Sequence, residues 1–161
     1  MNQSDIDRIR AHVERAVRIS RDHVATGGIP FSGIVVQNDR VLGTGFNRVR
    51  EEDDATAHAE VVALRNAASK AGLSDVVGST LIASGEPCAM CYMVALHFGV
   101  EHIVFAADRV IAGTYGFDYG SGYRLFAADP TQWRLRVTHL PIDGSEIPFQ
   151  EYLGARKARI R

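Results

Sequence analysis

Apolar positions along the chain follow two rhythms. Near the start, Ile6, Ile9, Val13, Ala16, Val17 and Val24 recur every three or four residues, which predicts an amphipathic helix capped by Ser4 and ended by Gly27-Gly28. The rhythm then shifts to β-rich runs, FSGIVVQ (31–37) and VLGTGF (41–46), joined by the turn-like Asn38-Asp39, the signature of a hairpin. The polar EEDDAT (51–56) offers Asp54 and Thr56 as caps for a second helix over 58–71, with Val61, Leu64 and Ala68 on one face. STLIAS (79–84) reads as a buried strand, CAMCYMVALHF (88–98) as a third helix entered at Pro87, and HIVFAA (102–107) as another strand. GTYGFDYGSGY (113–123) is too rich in glycine and aromatics to predict regular structure and reads as a functional loop. A strand over 136–142 and a helix from about Pro148 close the pattern.

Strands alternating with helices predict an α/β fold, a sheet covered on both faces with parallel pairing wherever a helix joins successive strands. The 161 residues fit one domain spanning 1–161, and 46% apolar with 23% charged residues is an ordinary globular balance. No internal repeat or low-complexity segment interrupts it. A net charge of −1 advertises no nucleic-acid surface, although it does not exclude one. The tail ARKARIR gathers Arg156, Lys157, Arg159 and Arg161, read here as a solvated last helical turn in preference to a phosphate site. A charged N-terminus and no apolar run approaching ~20 residues predict neither signal peptide nor membrane span, hence a cytoplasmic protein.

That compartment changes the meaning of the two cysteines, Cys88 and Cys91, which form a Cys-x-x-Cys at a predicted helix start. In reducing surroundings such a pair binds metal or does redox work more often than it forms a structural disulfide. The redox reading leaves His58 and Glu60, at the start of the other helix, without a use. A metal reading uses all four: one imidazole and two thiolates are three ligands suited to tetrahedral zinc, with a fourth position open. His12, His23, His97, His102 and His139 are the histidines that would close it, each by default an ordinary surface or core residue. His97 lies about 9 Å beyond Cys91 at ~1.5 Å rise per residue, too far to share one ion. Zinc with two thiolates and a neutral imidazole carries no net charge and acidifies its water only modestly, so a neighbouring proton acceptor, Glu60, is valuable.

His58-Ala59-Glu60 followed by Pro87-Cys88-Ala89-Met90-Cys91 resembles the H-x-E…P-C-x-x-C signature of zinc nucleobase deaminases. From about Gly28 to Tyr152 the chain is identified as a member of the cytidine deaminase-like superfamily. The resemblance implies a three-layer α/β/α fold around a central mixed five-stranded sheet, and one Zn2+ per chain with a catalytic water, held by His58, Cys88 and Cys91. It also implies Glu60 as the catalytic proton carrier and a homodimer. The implied reaction is hydrolytic deamination of a free nucleobase or nucleoside, a guanine-like purine foremost. Cytosine, cytidine, another aminopyrimidine or triazine, and tRNA adenosine are the alternatives. An inactive zinc-binding scaffold is the alternative of another class, and the intact Glu60 argues against it.

For the substrate pocket, GFN (45–47) resembles both bacterial guanine deaminases and tRNA adenosine deaminases, in which Asn47 would contact the base or its sugar. Backbone N–H groups around Ala59 are placed to orient a substrate carbonyl. The 113–123 segment resembles the guanine deaminase loop and brings in Phe117, Asp118 and Tyr119. Tyr119 stands where those enzymes carry a second aspartate, and a phenol with an ordinary pKa of about 10 does not replace a carboxylate base. Phe31, Phe117, Tyr115 and Tyr123 are candidate stacking surfaces, and Tyr152, in a C-terminal segment resembling one that often covers a partner's site, is a candidate lid.

Overall fold

The computed structural model describes residues 3–129, 140, 147 and 148. The chain divides into two compact units, residues 1–127 and 128–161, and the elements below all lie in the first. They run α1 (Gln3–Ala25), β1 (Ser32–Gln37), β2 (Arg40–Phe46), α2 (Val49–Glu52), α3 (Ala59–Ala71), α4 (Leu73–Val76), β3 (Thr80–Gly85), α5 (Ala89–His97), β4 (His102–Ala107), α6 (Arg109–Thr114) and α7 (Gly120–Phe126). No helix among the described residues is long and apolar enough to cross a membrane.

The strands form one mixed sheet in the order β2-β1-β3-β4, with β1 antiparallel to both neighbours and β3 parallel to β4. The parallel pair is the one joined by a helix, α5, as the pattern predicts. The helices between β2 and β3 do not make them neighbours, because β1 lies between them. Asn38 and Asp39 take positive φ (48° and 61°), the backbone of a two-residue turn whose twist matches the strands it joins.

Alternation along the strands makes the three layers. Ile34, Val36 and Ile82 face α1 and pack with Ala16, while Val35 and Leu81 face the other way and pack with Leu64 and Ala67 of α3 and Ala95 of α5. A register shift between Val35 and Val36 accompanies the entry of Leu42 into this second cluster. Ser32 ties the layers with buried polar bonds: its Oγ donates to the Ala16 carbonyl at 2.6 Å, and Ser84 Oγ accepts from its N–H at 2.9 Å.

Four sequence expectations change. The sheet has four strands among the described residues, where five were expected, and the expected fifth (136–142) falls outside them apart from Leu140. The 113–123 segment carries the end of α6 and the start of α7 in place of an irregular loop, because the glycines interrupt regular structure only at Gly116, where φ is +88°. Helix α1 already includes Gln3, so Ser4 is not its cap. Asp54 and Thr56 do not cap α3; Asp54 Oδ1 instead accepts from Thr56 N–H (2.8 Å) and Oγ1 (2.7 Å), tightening the turn ahead of it.

Helix α3 lies against β2 at backbone distance. A Cβ at Gly43 would stand 2.5 Å from the Ala67 amide nitrogen and 2.6 Å from the Ala63 carbonyl oxygen; at Gly45 it would stand 2.5 Å from the Ala63 nitrogen. These neighbours are helix backbone and cannot rotate away. Gly43→Ala therefore forces strand and helix apart and is expected to lower stability by ~1–3 kcal/mol. Urea denaturation checks this through a lower midpoint at unchanged slope.

Candidate active site

Two helix N-termini meet at the carboxyl side of the sheet's centre. His58 is the N-cap of α3 and Cys88 the N-cap of α5, both with extended backbone (φ −67°, ψ 151° and φ −70°, ψ 169°), and neither helix receives a side-chain capping bond there. Cys91 follows in the first turn of α5 and is fully buried. The positive ends of two helix dipoles thus converge where thiolates would carry negative charge, and the Cys91 backbone N–H bonds to Cys88 there.

The three donor atoms form a triangle: Cys88 Sγ to His58 Nδ1, Cys91 Sγ to His58 Nδ1, and Cys88 Sγ to Cys91 Sγ are each 3.5 Å. A tetrahedral zinc with bonds of ~2.0–2.3 Å to nitrogen and sulfur has donors ~3.4–3.8 Å apart, so the spacing and the imidazole-dithiolate chemistry both fit zinc. His58, Cys88 and Cys91 form a group able to hold one metal ion, and no fourth histidine or cysteine joins it among the described residues.

Glu60, in the first turn of α3, is 4% exposed, and its Oε2 lies 3.3 Å from Cys91 Sγ. Burial pushes its carboxyl above the usual carboxylate range. The hydrogen bond from Cys91, helped by His58, pulls the Cys88 thiol down to about 4. The Cys91 thiol moves the opposite way, raised first by its bond to Cys88 and then by burial and Glu60. Cys88 therefore takes the first negative charge of the pair, and the bond to it raises His58 in turn.

Beside the triangle opens a cavity of about 350 Å³, within the size range of small-molecule sites. His58, Glu60 and Cys88 line its floor. Phe31, at the lip of β1, and Phe117 meet edge-to-face with centroids 5.2 Å apart, and both line the cavity with Asp118 and Tyr119. Asn47 forms another wall and is buried. Its Oδ1 accepts from Val49 N–H at 3.2 Å, which fixes the amide orientation and leaves Nδ2 as the donor to spare.

Most of the residues singled out from sequence therefore converge: His58, Glu60, Cys88, Asn47, Phe31, Phe117, Asp118 and Tyr119 line one cavity, with Cys91 closing the donor triangle. Ala59 is fully buried and its side chain does not line the cavity. Asp118 Oδ1 accepts from Gly120 N–H at 3.0 Å, and the Tyr119 hydroxyl donates to the Glu86 carbonyl at 2.8 Å. Two stacking candidates lie elsewhere. Tyr115 is 78% exposed, while Tyr123 donates to the Pro87 carbonyl and packs on Tyr92. Tyr152 falls outside the described residues. Glu86, Ile29 and Val49 also line the cavity and were not anticipated. Glu86 had a signal, since it directly precedes Pro87-Cys88 and must share their end of β3; the two apolar residues had none.

Residues 7–107 match the family model of the cytidine and deoxycytidylate deaminase zinc-binding region. The chain belongs to that family. The match bears out the resemblance carried by His58-Ala59-Glu60 and the Pro87–Cys91 stretch. Within the family's range, the chain is 34% identical over 107 residues to guanine deaminase of Bacillus subtilis strain 168, covering 66% of this chain and 69% of that protein. An X-ray structure of guanine deaminase from Bacillus subtilis superposes with a TM-score of 0.81 at 27% identity, covering 96% of this chain and 95% of that one. The tRNA-specific adenosine deaminase of Haemophilus influenzae is 34% identical over 113 residues, 68% of this chain and 65% of that protein. A similar stretch, 33% identical over 132 residues and covering 81% of this chain, occurs in the tRNA(Ile)-lysidine synthase of Deinococcus radiodurans, of whose length the chain spans 22%.

Family membership and the donor triangle together make a direct prediction. Purified protein is expected to carry one zinc per chain, and Cys91→Ala to retain less than about a tenth of it, since the remaining donors are only two. Elemental analysis after dialysis checks both. Stripping zinc from the wild type with a chelator should lower its melting temperature, because an ion that binds only the folded state stabilises it.

Proposed function

We propose that this protein is a zinc-dependent hydrolase that replaces the exocyclic amino group of a free nucleobase or nucleoside with oxygen, releasing ammonia, with a guanine-like purine as the leading substrate. The observation that carries the reading is the meeting, in one cavity, of the His58/Cys88/Cys91 triangle with a buried carboxylate and an oriented amide. A zinc ion held by those three residues supplies a water activated for attack on the amine-bearing ring carbon.

The rest of the chemistry belongs to the chain. Glu60, beside the triangle and lining the cavity, takes the proton that the water gives up and delivers protons to the ring nitrogen and the departing amine. Asn47 Nδ2 donates to a carbonyl or ring nitrogen of the base, which sets the ring's rotation in the cavity. Phe31 and Phe117 supply apolar surface against the ring. Tyr119 contributes shape, because its hydroxyl hydrogen is committed to the Glu86 carbonyl and burial pushes its ionisation further from neutrality.

The purine preference is supported by likeness to guanine deaminase at a TM-score of 0.81 over almost the whole chain. A second reading, deamination of adenosine in tRNA, is supported by the 34% identity to a tRNA-specific adenosine deaminase. It has less support from charge, which is −1 overall.

Ammonia release from zinc-loaded protein against guanine, guanosine, adenine, cytosine, cytidine, aminotriazines and a tRNA anticodon stem-loop separates these readings. Turnover of a free purine is expected. Activity confined to the stem-loop, weakening steeply with salt, transfers the assignment to tRNA. Glu60→Gln should keep its zinc and lose at least about a thousandfold in kcat, the scale of general acid-base catalysis combined with its repeated use. Retained turnover in that variant would remove the proposed mechanism.

A further inference from the structure

We propose that His23 is a positioning residue for this cavity, acting through Asn47; the inference rests on the cavity being the nucleobase site. His23 sits in the last turn of α1, does not line the cavity as Asn47 does, and is buried. Its Nε2 lies 2.9 Å from the Asn47 carbonyl oxygen and 3.4 Å from Glu51 Oε1. Both neighbours are acceptors, so the hydrogen is on Nε2 and the imidazole donates between them.

The ring has little freedom to do otherwise. It packs on Phe46 with centroids 4.3 Å apart, and on its other side the chain passes so close that a Cβ at Gly28 would stand 2.1 Å from Nε2. Thr26 Oγ1 (2.8 Å) and the Gly28 N–H (3.0 Å) both donate to the His23 carbonyl, which pins the residue's own backbone.

Asn47 is thereby held at three polar atoms by three different segments. Its N–H donates to the Phe31 carbonyl at 3.0 Å, its carbonyl accepts from His23, and its Oδ1 accepts from Val49 N–H. Only Nδ2 is left to meet a ligand. His23 is the one contact of the three made by a side chain, and the one that ties the cavity wall to α1 on the opposite face of the sheet. Removing it loosens the Asn47 carbonyl, and with it the peptide that aims Nδ2.

The test uses full-length zinc-loaded protein. His23→Leu, which fills the space without a donor, is expected to raise KM about five- to tenfold, the worth of one hydrogen bond to the base, with kcat within about twofold. His23→Gln, which restores an N–H at similar reach, should return KM to within about twofold of wild type. Gly28→Ala, which displaces the ring without altering it, should behave as His23→Leu. In an Asn47→Ala background His23→Leu should add less than about twofold, because the Nδ2 donor through which His23 acts is already gone.

A second readout needs no turnover. Amide exchange followed by NMR should quicken at Asn47 and Val49 in His23→Leu and recover in His23→Gln, with Leu81 in β3 as the reference for global opening. Unchanged exchange at Asn47 and Val49, or full additivity with Asn47→Ala, overturns the proposal. Should wild type act on no substrate, the deaminase reading fails by itself, and the exchange measurement still decides the role of His23.

Discussion

Everything at the site depends on how closely α3 approaches the sheet. Gly43 and Gly45 let the helix rest its backbone on β2, and that contact fixes where α3 begins. Its beginning carries the metal-donor candidate His58 at the N-cap and Glu60 in the first turn. The parallel pair β3-β4 performs the same service for α5, whose N-terminus carries Cys88 and Cys91. Two helices whose starts are pinned independently to one sheet bring three donor atoms to within 3.5 Å of one another without any direct bond between the helices being needed to define the geometry. An extra methyl group at a strand position remote from the cavity would therefore move the ligands.

The arrangement is expensive in charge. Glu60 and Cys91 are buried within 3.3 Å of each other, and Cys88 lies 3.5 Å from Cys91. The hydrogen bond between the two cysteines drives the Cys88 thiol down and the Cys91 thiol up, and burial drives Glu60 up, so the bare site does not carry all three negative charges at once. Helix dipoles offset part of this. A divalent cation offsets the rest, so the same crowding that destabilises the residues as bare acids is the reason they fit a metal. Stability and function are in tension here, as at many strained or charged sites.

How much of this was legible in the sequence follows from what each signal encodes. The zinc triad, Glu60 and the hairpin were readable because residue type, order and local period each carry them, and Asn38-Asp39 encodes its turn directly in backbone preference. The strand order was not readable. Nothing local tells β3 to pair with β1 and leave β2 on the edge. The helices α6 and α7 were missed because glycine lowers helix propensity without forbidding a short helix that docking stabilises. His23 was passed over as an ordinary histidine, since its importance arises from a contact 24 residues away that no periodicity reveals.

The walls of the cavity divide into two kinds, and the division bears on how such a fold changes substrate. On the Asn47 and Glu60 side, polar atoms are held by backbone and by neighbouring elements, so on the proposed reading a base that mismatches them leaves buried groups unpaired and is rejected strongly. On the Phe31, Phe117 and Tyr119 side most of the surface is rings; Tyr119 has already spent its hydrogen on the Glu86 carbonyl, and the neighbouring Asp118 already accepts from Gly120 N–H. Rings discriminate by shape, which is worth far less per contact than an unpaired hydrogen bond. On the proposed reading the amino group and its ring nitrogen are therefore specified tightly, next to the metal ligands, while the remote edge of the base is specified loosely. Residues on the α6–α7 connection can then vary without disturbing the triangle, which is anchored to different elements.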